Sequence, residues 1–211
     1  DGVDALIIPG GESTTIGKLL ERYDLLAPIR ERGRAGMPIL GTCAGLILLA
    51  CEIEGSDQPR LGLLDVTVRR NAYGRQIESF ETDVAVPALG PPPVRAVFIR
   101  APVVTRTGPA GEVLAEADNS PILVRQGSLI GAAFHPEMAG EPRIHRFLIE
   151  QIEGRGRGRG HSLIASLAPA GHGRGLVVRG QRRVQRALRA DPRSLAAAYR
   201  ERPMPGHRTV G

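Results

Sequence analysis

An α/β fold with a mostly parallel central sheet is what this sequence predicts, and three observations carry that reading. Short apolar runs end at glycine, helical patterns follow directly after them, and aromatics make up only 3% of a chain that is 42% hydrophobic. A core with so few aromatics must be built from Leu, Ile, Val and Ala, which suits strands buried on both faces beneath crossover helices. At 211 residues the chain is long enough to bury such a core without disulfides or metal.

The first run, Ala5-Leu6-Ile7-Ile8, reads as a buried strand stopped by Pro9-Gly10-Gly11. Ser13 or Thr14 then caps a helix reaching about Tyr23, with Ile16, Leu19 and Leu20 at helical spacing. A second helix covers Leu25 to Arg34, and Met37–Leu40 reads as the next strand, broken at Gly41. A strongly apolar helix is expected from Ala44 to Glu52. Beyond it the pattern turns β-rich: Leu64–Arg69, Ile77–Val86, Val94–Ile99, Val113–Ala117, Ile122–Gln126 and Leu129–Phe134. Gly127-Ser128 supplies a hairpin turn between the last two. A final helix, Glu141 to about Ile152, places Ile144, Phe147 and Leu148 on one face and His145 on its surface.

The charge divides at the end of that helix. Residues 153–211 hold 13 Arg, no Lys and 3 acidic residues, a net of +10, which leaves residues 1–152 at −4 out of a total of +6. Residues 1–152 therefore read as one domain. Residues 153–211, opening with Gly154-Arg155-Gly156-Arg157-Gly158-Arg159-Gly160, read as an Arg/Gly-rich tail expected to be disordered, with a low-grade helical pattern over Val184–Tyr199. Nucleic acid is not the expected partner, and the tail is the one part that offers it an alternative reading, since the body is mildly acidic. The two cysteines, Cys43 and Cys51, are too few for a secreted disulfide framework, and no apolar stretch reaches membrane-spanning length. A cytoplasmic setting without a membrane partner is the expectation.

Gly41-Thr42-Cys43-Ala44-Gly45, between an apolar strand and an apolar helix, is a nucleophile-elbow arrangement. A thiol there meets the unsatisfied N–H groups and positive dipole end of the helix, both of which favour thiolate. Cys51, two helical turns on among Leu48, Leu49 and Ile53, reads instead as a buried structural cysteine. A thiol nucleophile needs a base and a group that orients it. His135 and Glu137, two apart in the extended Phe134-His135-Pro136-Glu137, point to the same side and meet that need. Amide hydrolysis also calls for oxyanion donors, for which the Ala44 amide and the glycine loop at Gly10 and Gly11 are candidates. By composition alone that glycine pair is an ordinary turn; beside the elbow it gains weight. No Cys/His spacing suggests a metal, and no cofactor is called for.

Five segments occur in order: Pro9-Gly10-Gly11-Glu12-Ser13-Thr14-Thr15-Ile16-Gly17, the elbow with Leu46-Ile47-Leu48-Leu49-Ala50, Asn71-Ala72-Tyr73-Gly74-Arg75-Gln76-Ile77-Glu78-Ser79-Phe80, Phe98-Ile99-Arg100-Ala101-Pro102 and Phe134–Glu137. Together they closely resemble the glutaminase subunits of pyridoxal 5′-phosphate synthase, which are class I (triad) glutamine amidotransferases. The resemblance covers residues 1 to about 152. It implies a flavodoxin-like three-layer fold, and hydrolysis of L-glutamine to glutamate and ammonia, with ammonia channelled to a synthase subunit for vitamin B6 biosynthesis. By motif position it implies Cys43 as nucleophile, His135 as acid and base and Glu137 as the orienting partner. Gly11, Glu12, Ser13, Arg70, Ile99 and Arg100 are implied to hold glutamine, a guanidinium suiting its α-carboxylate. Without the motif, Arg70 and Arg100 read as surface solubility. The resemblance further implies a strand and helix ahead of Ala5 that this sequence lacks, so an incomplete, non-catalytic binding subunit is the alternative, as is a triad amidotransferase of another pathway.

Overall fold

The computed structural model describes residues 3–70, 79–153, 164–169 and 176–180. Strand β1 (Ala5–Ile8) leads through a loop to α1 (Ser13–Arg22) and α2 (Leu26–Arg34), then to β2 (Ile39–Thr42) and α3 (Ala44–Leu49). Next come β3 (Ala50–Ile53), β4 (Leu64–Arg69), β5 (Ser79–Val84), β6 (Val94–Ile99), β7 (Val103–Thr107), β8 (Glu112–Ala117), β9 (Ser120–Gln126), β10 (Leu129–Ala132) and α4 (Arg143–Glu153). A short 3₁₀ helix (Pro87–Leu89) between β5 and β6 and two further strands, β11 (Ile164–Pro169) and β12 (Leu176–Gly180), complete the described elements.

The central sheet has seven strands in the order β12-β11-β1-β2-β10-β9-β8, of which β11, β1, β2 and β10 run parallel. Every residue of β1, β2 and β10 is buried. Strands buried on both faces must be covered on both, and α3 and α4 each pack on β1 and β2. The α/β class and the parallel grammar of the first fifty residues are as expected. Beside this sheet lie the three-stranded β3-β4-β7 and the two-stranded β5-β6.

Several local expectations are corrected. Glu12, not Ser13 or Thr14, caps α1: its carboxylate accepts from the amides of Thr14 and Thr15 at 3.2 and 2.6 Å. The helix expected to reach Glu52 stops at Leu49, because Ala50 turns to extended backbone and the next residues pair parallel with β4. Cys51 therefore lies on a strand facing out, and is exposed rather than buried. Strand β7 was hidden in a short, mixed-polarity stretch, and forms because it pairs antiparallel with β4. His145 is buried at 2% exposure, not on the surface, because the face of α4 turned to the core is wide enough to include it beside Ile144, Leu148 and Ile149.

Within the stretch expected to be a disordered tail, β11 pairs with β1 and β12 pairs with β11. Ile164 and Leu167, and Leu176 to Val178, are apolar islands in the Arg/Gly-rich composition; β1 offers β11 a partner backbone, and β11 offers one to β12. The Arg-Gly run, the Val184–Tyr199 pattern and Asn71 to Glu78 fall outside the described residues.

Three of the four phenylalanines form a chain that ties the two-stranded β5-β6 sheet to the segment after β10 of the main one. Phe80 stacks on Phe98 with ring centroids 4.5 Å apart, and Phe98 meets Phe134 at 5.8 Å. Complete burial of Phe98 and Phe134 contributes roughly 2 kcal/mol each in transfer from water. Phe134 is thereby fixed one residue before His135.

Among the described glycines the tightest site is Gly45, where an added Cβ would sit 1.9 Å from the carbonyl oxygen of Ile8. That space exists only without a side chain, and it sets α3 directly against the end of β1. Replacement Gly45→Ala must push helix from strand, and a loss of about 3 kcal/mol in urea unfolding of the full chain is expected. A change below about 0.5 kcal/mol would contradict this packing.

Candidate active site

Cys43 sits between the end of β2 and the start of α3, with φ 49° and ψ −101°. A non-glycine residue in that region is strained, and is held here by bonds on either side: its amide donates to the Ala132 carbonyl of β10 at 2.8 Å, and its own carbonyl accepts from Ile47 at 3.2 Å. The side chain is 93% buried by its surroundings, leaving 7% exposure, and Sγ lies 3.9 Å from the Ile99 carbonyl oxygen. The amide of Ala44 is the first of α3, one of the donors an α-helix leaves unpaired within itself.

His135 and Glu137 follow the carboxyl end of β10. Nδ1 of His135 lies 2.9 Å from Oε1 of Glu137, and both side chains are largely buried. The His135 amide donates to Val97 of β6 at 2.8 Å, so the residue is also anchored through its backbone. Burial works against the charged ring, but hydrogen bonds to Cys43 and Glu137, and the negative charge each offers, push its pKa from 6.5 up to about 10. With Nδ1 engaged by Glu137, Nε2 is the nitrogen left to bond Cys43. The three residues therefore form one hydrogen-bonded series in which Glu137 sets the ring and the ring meets the thiol.

The glycine loop closes on this series. An added Cβ at Gly10 would lie 2.2 Å from Cε1 of His135, so only glycine lets the loop after β1 come this near the imidazole. Gly11 follows at φ 148°, and Glu12 and Ser13 begin the cap and first turn of α1. Threonine hydrogen bonds hold the Glu12 carboxyl below its ordinary pKa although partial burial opposes them. Glu12 also pairs with Arg70 at 3.2 Å, and Ser13 is buried. Ile99 reaches the thiol through its carbonyl, while Arg100, next in line, is exposed and has φ 45°.

The sequence-derived residues thus fall into two adjoining groups. Cys43, His135, Glu137, Gly10 and Ile99 meet directly. Glu12, Ser13 and Arg70 form a second polar group joined to the first through Gly11. Two participants were missed: the Val97 carbonyl, which no side-chain pattern signals, and Gln58, which sits in the loop after β3 among Ser56, Asp57 and Pro59, a stretch without periodicity. Cys51 has no comparable company; burial and the Asp65 charge push its thiol up, against the opposing pull of Arg106 and Arg60.

Comparison with known proteins agrees with this arrangement. The model of the SNO glutamine amidotransferase family matches residues 1–154. A pyridoxal 5′-phosphate synthase subunit PdxT of Desulforudis audaxviator is 57% identical over 149 residues, covering 71% of this chain and 79% of that protein. One of the same name from Herpetosiphon aurantiacus is 59% identical over 151 residues, covering 70% and 80%. A crystal structure of a glutamine amidotransferase superposes with a TM-score of 0.68 at 51% identity, covering 71% of this chain and 79% of that one. The elbow, the His-Glu pair beside it and these likenesses together place the chain in the SNO glutamine amidotransferase family.

Proposed function

We propose that Cys43, His135 and Glu137 are the triad by which this chain hydrolyses L-glutamine to L-glutamate and ammonia. The observation that carries the reading is the unbroken series from Glu137 Oε1, 2.9 Å from His135 Nδ1, through the imidazole to the thiol at the head of α3. In the first half-reaction the Cys43 sulfur attacks the carboxamide carbon of glutamine, and the carbonyl π electrons move onto oxygen. Amides of Ala44, Gly10 and Gly11 are the proposed donors to that oxyanion. As the C–N bond breaks, His135 gives its proton to the departing nitrogen, releasing ammonia and leaving a glutamyl thioester. Water then attacks the thioester while His135 takes its proton, and the sulfur leaves with glutamate as product. Glu137 keeps the ring oriented and stabilises its charge throughout.

Gly11, Glu12, Ser13, Arg70, Ile99 and Arg100 are the proposed glutamine-holding residues. Arg70 suits the α-carboxylate, because a guanidinium presents paired donors to a planar anion. The relatives' name points to pyridoxal 5′-phosphate synthesis as the use of the ammonia, and the synthase subunit of such a complex as the partner that receives it. The cytoplasm is the proposed location; among the described residues no helix is long and apolar enough to cross a membrane.

Replacing Cys43 by Ala should lower glutamate release by about a thousandfold or more, whereas Cys51→Ala should leave it within about twofold. Comparable losses in both variants would place the chemistry elsewhere. The His135 proton gives a second test. Its folded pKa, about 10, lies above the unfolded value of 6.5, so its contribution to stability is complete below pH 6.5 and is lost as pH rises through about 10. Thermal melts from pH 6 to 10.5 should show a decline in the wild type that is steeper than in His135→Gln; parallel slopes would contradict the series.

A further inference from the structure

Gln58 is buried at 8% exposure in the loop between β3 and β4, far in sequence from the groups it touches. Its Oε1 accepts from Arg70 NH1 at 2.7 Å, from Thr14 Oγ1 at 3.1 Å and from Ser13 Oγ at 3.3 Å. One carbonyl oxygen thus joins the first turn of α1 to the guanidinium at the end of β4. The direction of the amide follows from its neighbours, since turning it round would set an NH₂ against the N–H of Arg70. Its Nε2 has no partner among the described residues, so the side chain is held by its oxygen alone.

The bonds also determine which part of Arg70 stays available. NH1 donates to Gln58 and to Thr14, and NH2 donates to Glu12. Five N–H donors minus these three leave, among the described residues, one on Nε and one on NH2. Two donors are what a carboxylate takes in bidentate contact. Without the Gln58 oxygen, NH1 keeps only Thr14, and the guanidinium is free to turn toward the exposed Glu12 carboxylate, which would compete with an incoming carboxylate for the same donors.

We propose that Gln58 is a positioning residue for glutamine recognition: by holding Arg70 NH1 and the first turn of α1 on one oxygen, it keeps the remaining Arg70 donors turned to the substrate α-carboxylate. The proposal rests on the reading of Arg70 as the carboxylate-binding residue. It assigns Gln58 no part in bond making or breaking.

The test compares inactivation of the full chain by two electrophiles: a chloroketone derived from glutamine, which carries the α-carboxylate, and iodoacetamide, which does not. For Gln58→Met the chloroketone KI should rise about tenfold with its limiting rate within about twofold, and the iodoacetamide rate should also stay within about twofold. Gln58→Asn, which withdraws the oxygen by one methylene and keeps the amide, should raise KI in the same direction by about threefold, and decides the matter if Gln58→Met does not fold. An unchanged KI in the folded variants, or an equal loss toward both electrophiles, overturns the proposal. Arg70→Ala is measured beside them. If Arg70→Ala leaves KI unchanged, the carboxylate role of Arg70 fails and this proposal with it; if Arg70→Ala raises KI while the Gln58 variants do not, only the role of Gln58 fails.

Discussion

The contact between Gly45 and the Ile8 carbonyl is the constraint from which the site follows. Because no side chain intervenes, α3 starts directly over the ends of β1 and β2, and the residue between strand and helix must turn sharply at a positive φ. Cys43 occupies that turn, so its sulfur is held above the carboxyl end of the sheet, next to the first amides of the helix. The strain at Cys43 is sustained by the Ala132 carbonyl on one side and α3 on the other, which makes the position of the proposed nucleophile a property of the sheet rather than of a loop. Parallel strands and crossover helices therefore deliver the loop after β1, the elbow after β2 and the segment after β10 to one end of the sheet.

Electrostatics completes what packing begins. A buried imidazole would ordinarily resist protonation, yet His135 is pushed the other way because hydrogen bonds and charge from Cys43 and Glu137 favour its charged form. A ring whose charged form is favoured in this way suits the proposed role of giving a proton to a leaving amine. Around this centre the polar contacts grow progressively more exposed, from Glu137 to the half-buried Arg70 and the exposed Glu12. That gradient suits a site whose chemistry needs a dry interior and whose substrate arrives from water as a zwitterion.

Much of this was legible from residue order alone. Strands Ala5–Ile8 and Leu129–Ala132 announce themselves as continuous apolar runs, and the elbow and His-x-Glu pair are local patterns whose geometry follows from backbone rules. What escaped was whatever depends on pairing at a distance. The end of α3 is decided by β4, which captures Ala50 to Ile53; helix propensity in the apolar run gives no hint of that competition. β7 exists through β4, β11 through β1 and β12 through β11. Gln58 belongs to the same class, a loop residue without pattern that acquires its role only when folding brings Ser13, Thr14 and Arg70 around its oxygen.

The central claim is that Cys43 carries the acyl group of glutamine. Acid quenching of the full chain during turnover of L-glutamine, in a Glu137→Gln variant chosen to slow thioester hydrolysis, followed by peptide mapping by mass spectrometry, addresses it directly. A glutamyl thioester on the peptide containing Cys43, with the Cys51 peptide unmodified, is the predicted result. An adduct on Cys51, or glutamate formation with no adduct on Cys43 at any quench time, would contradict the account.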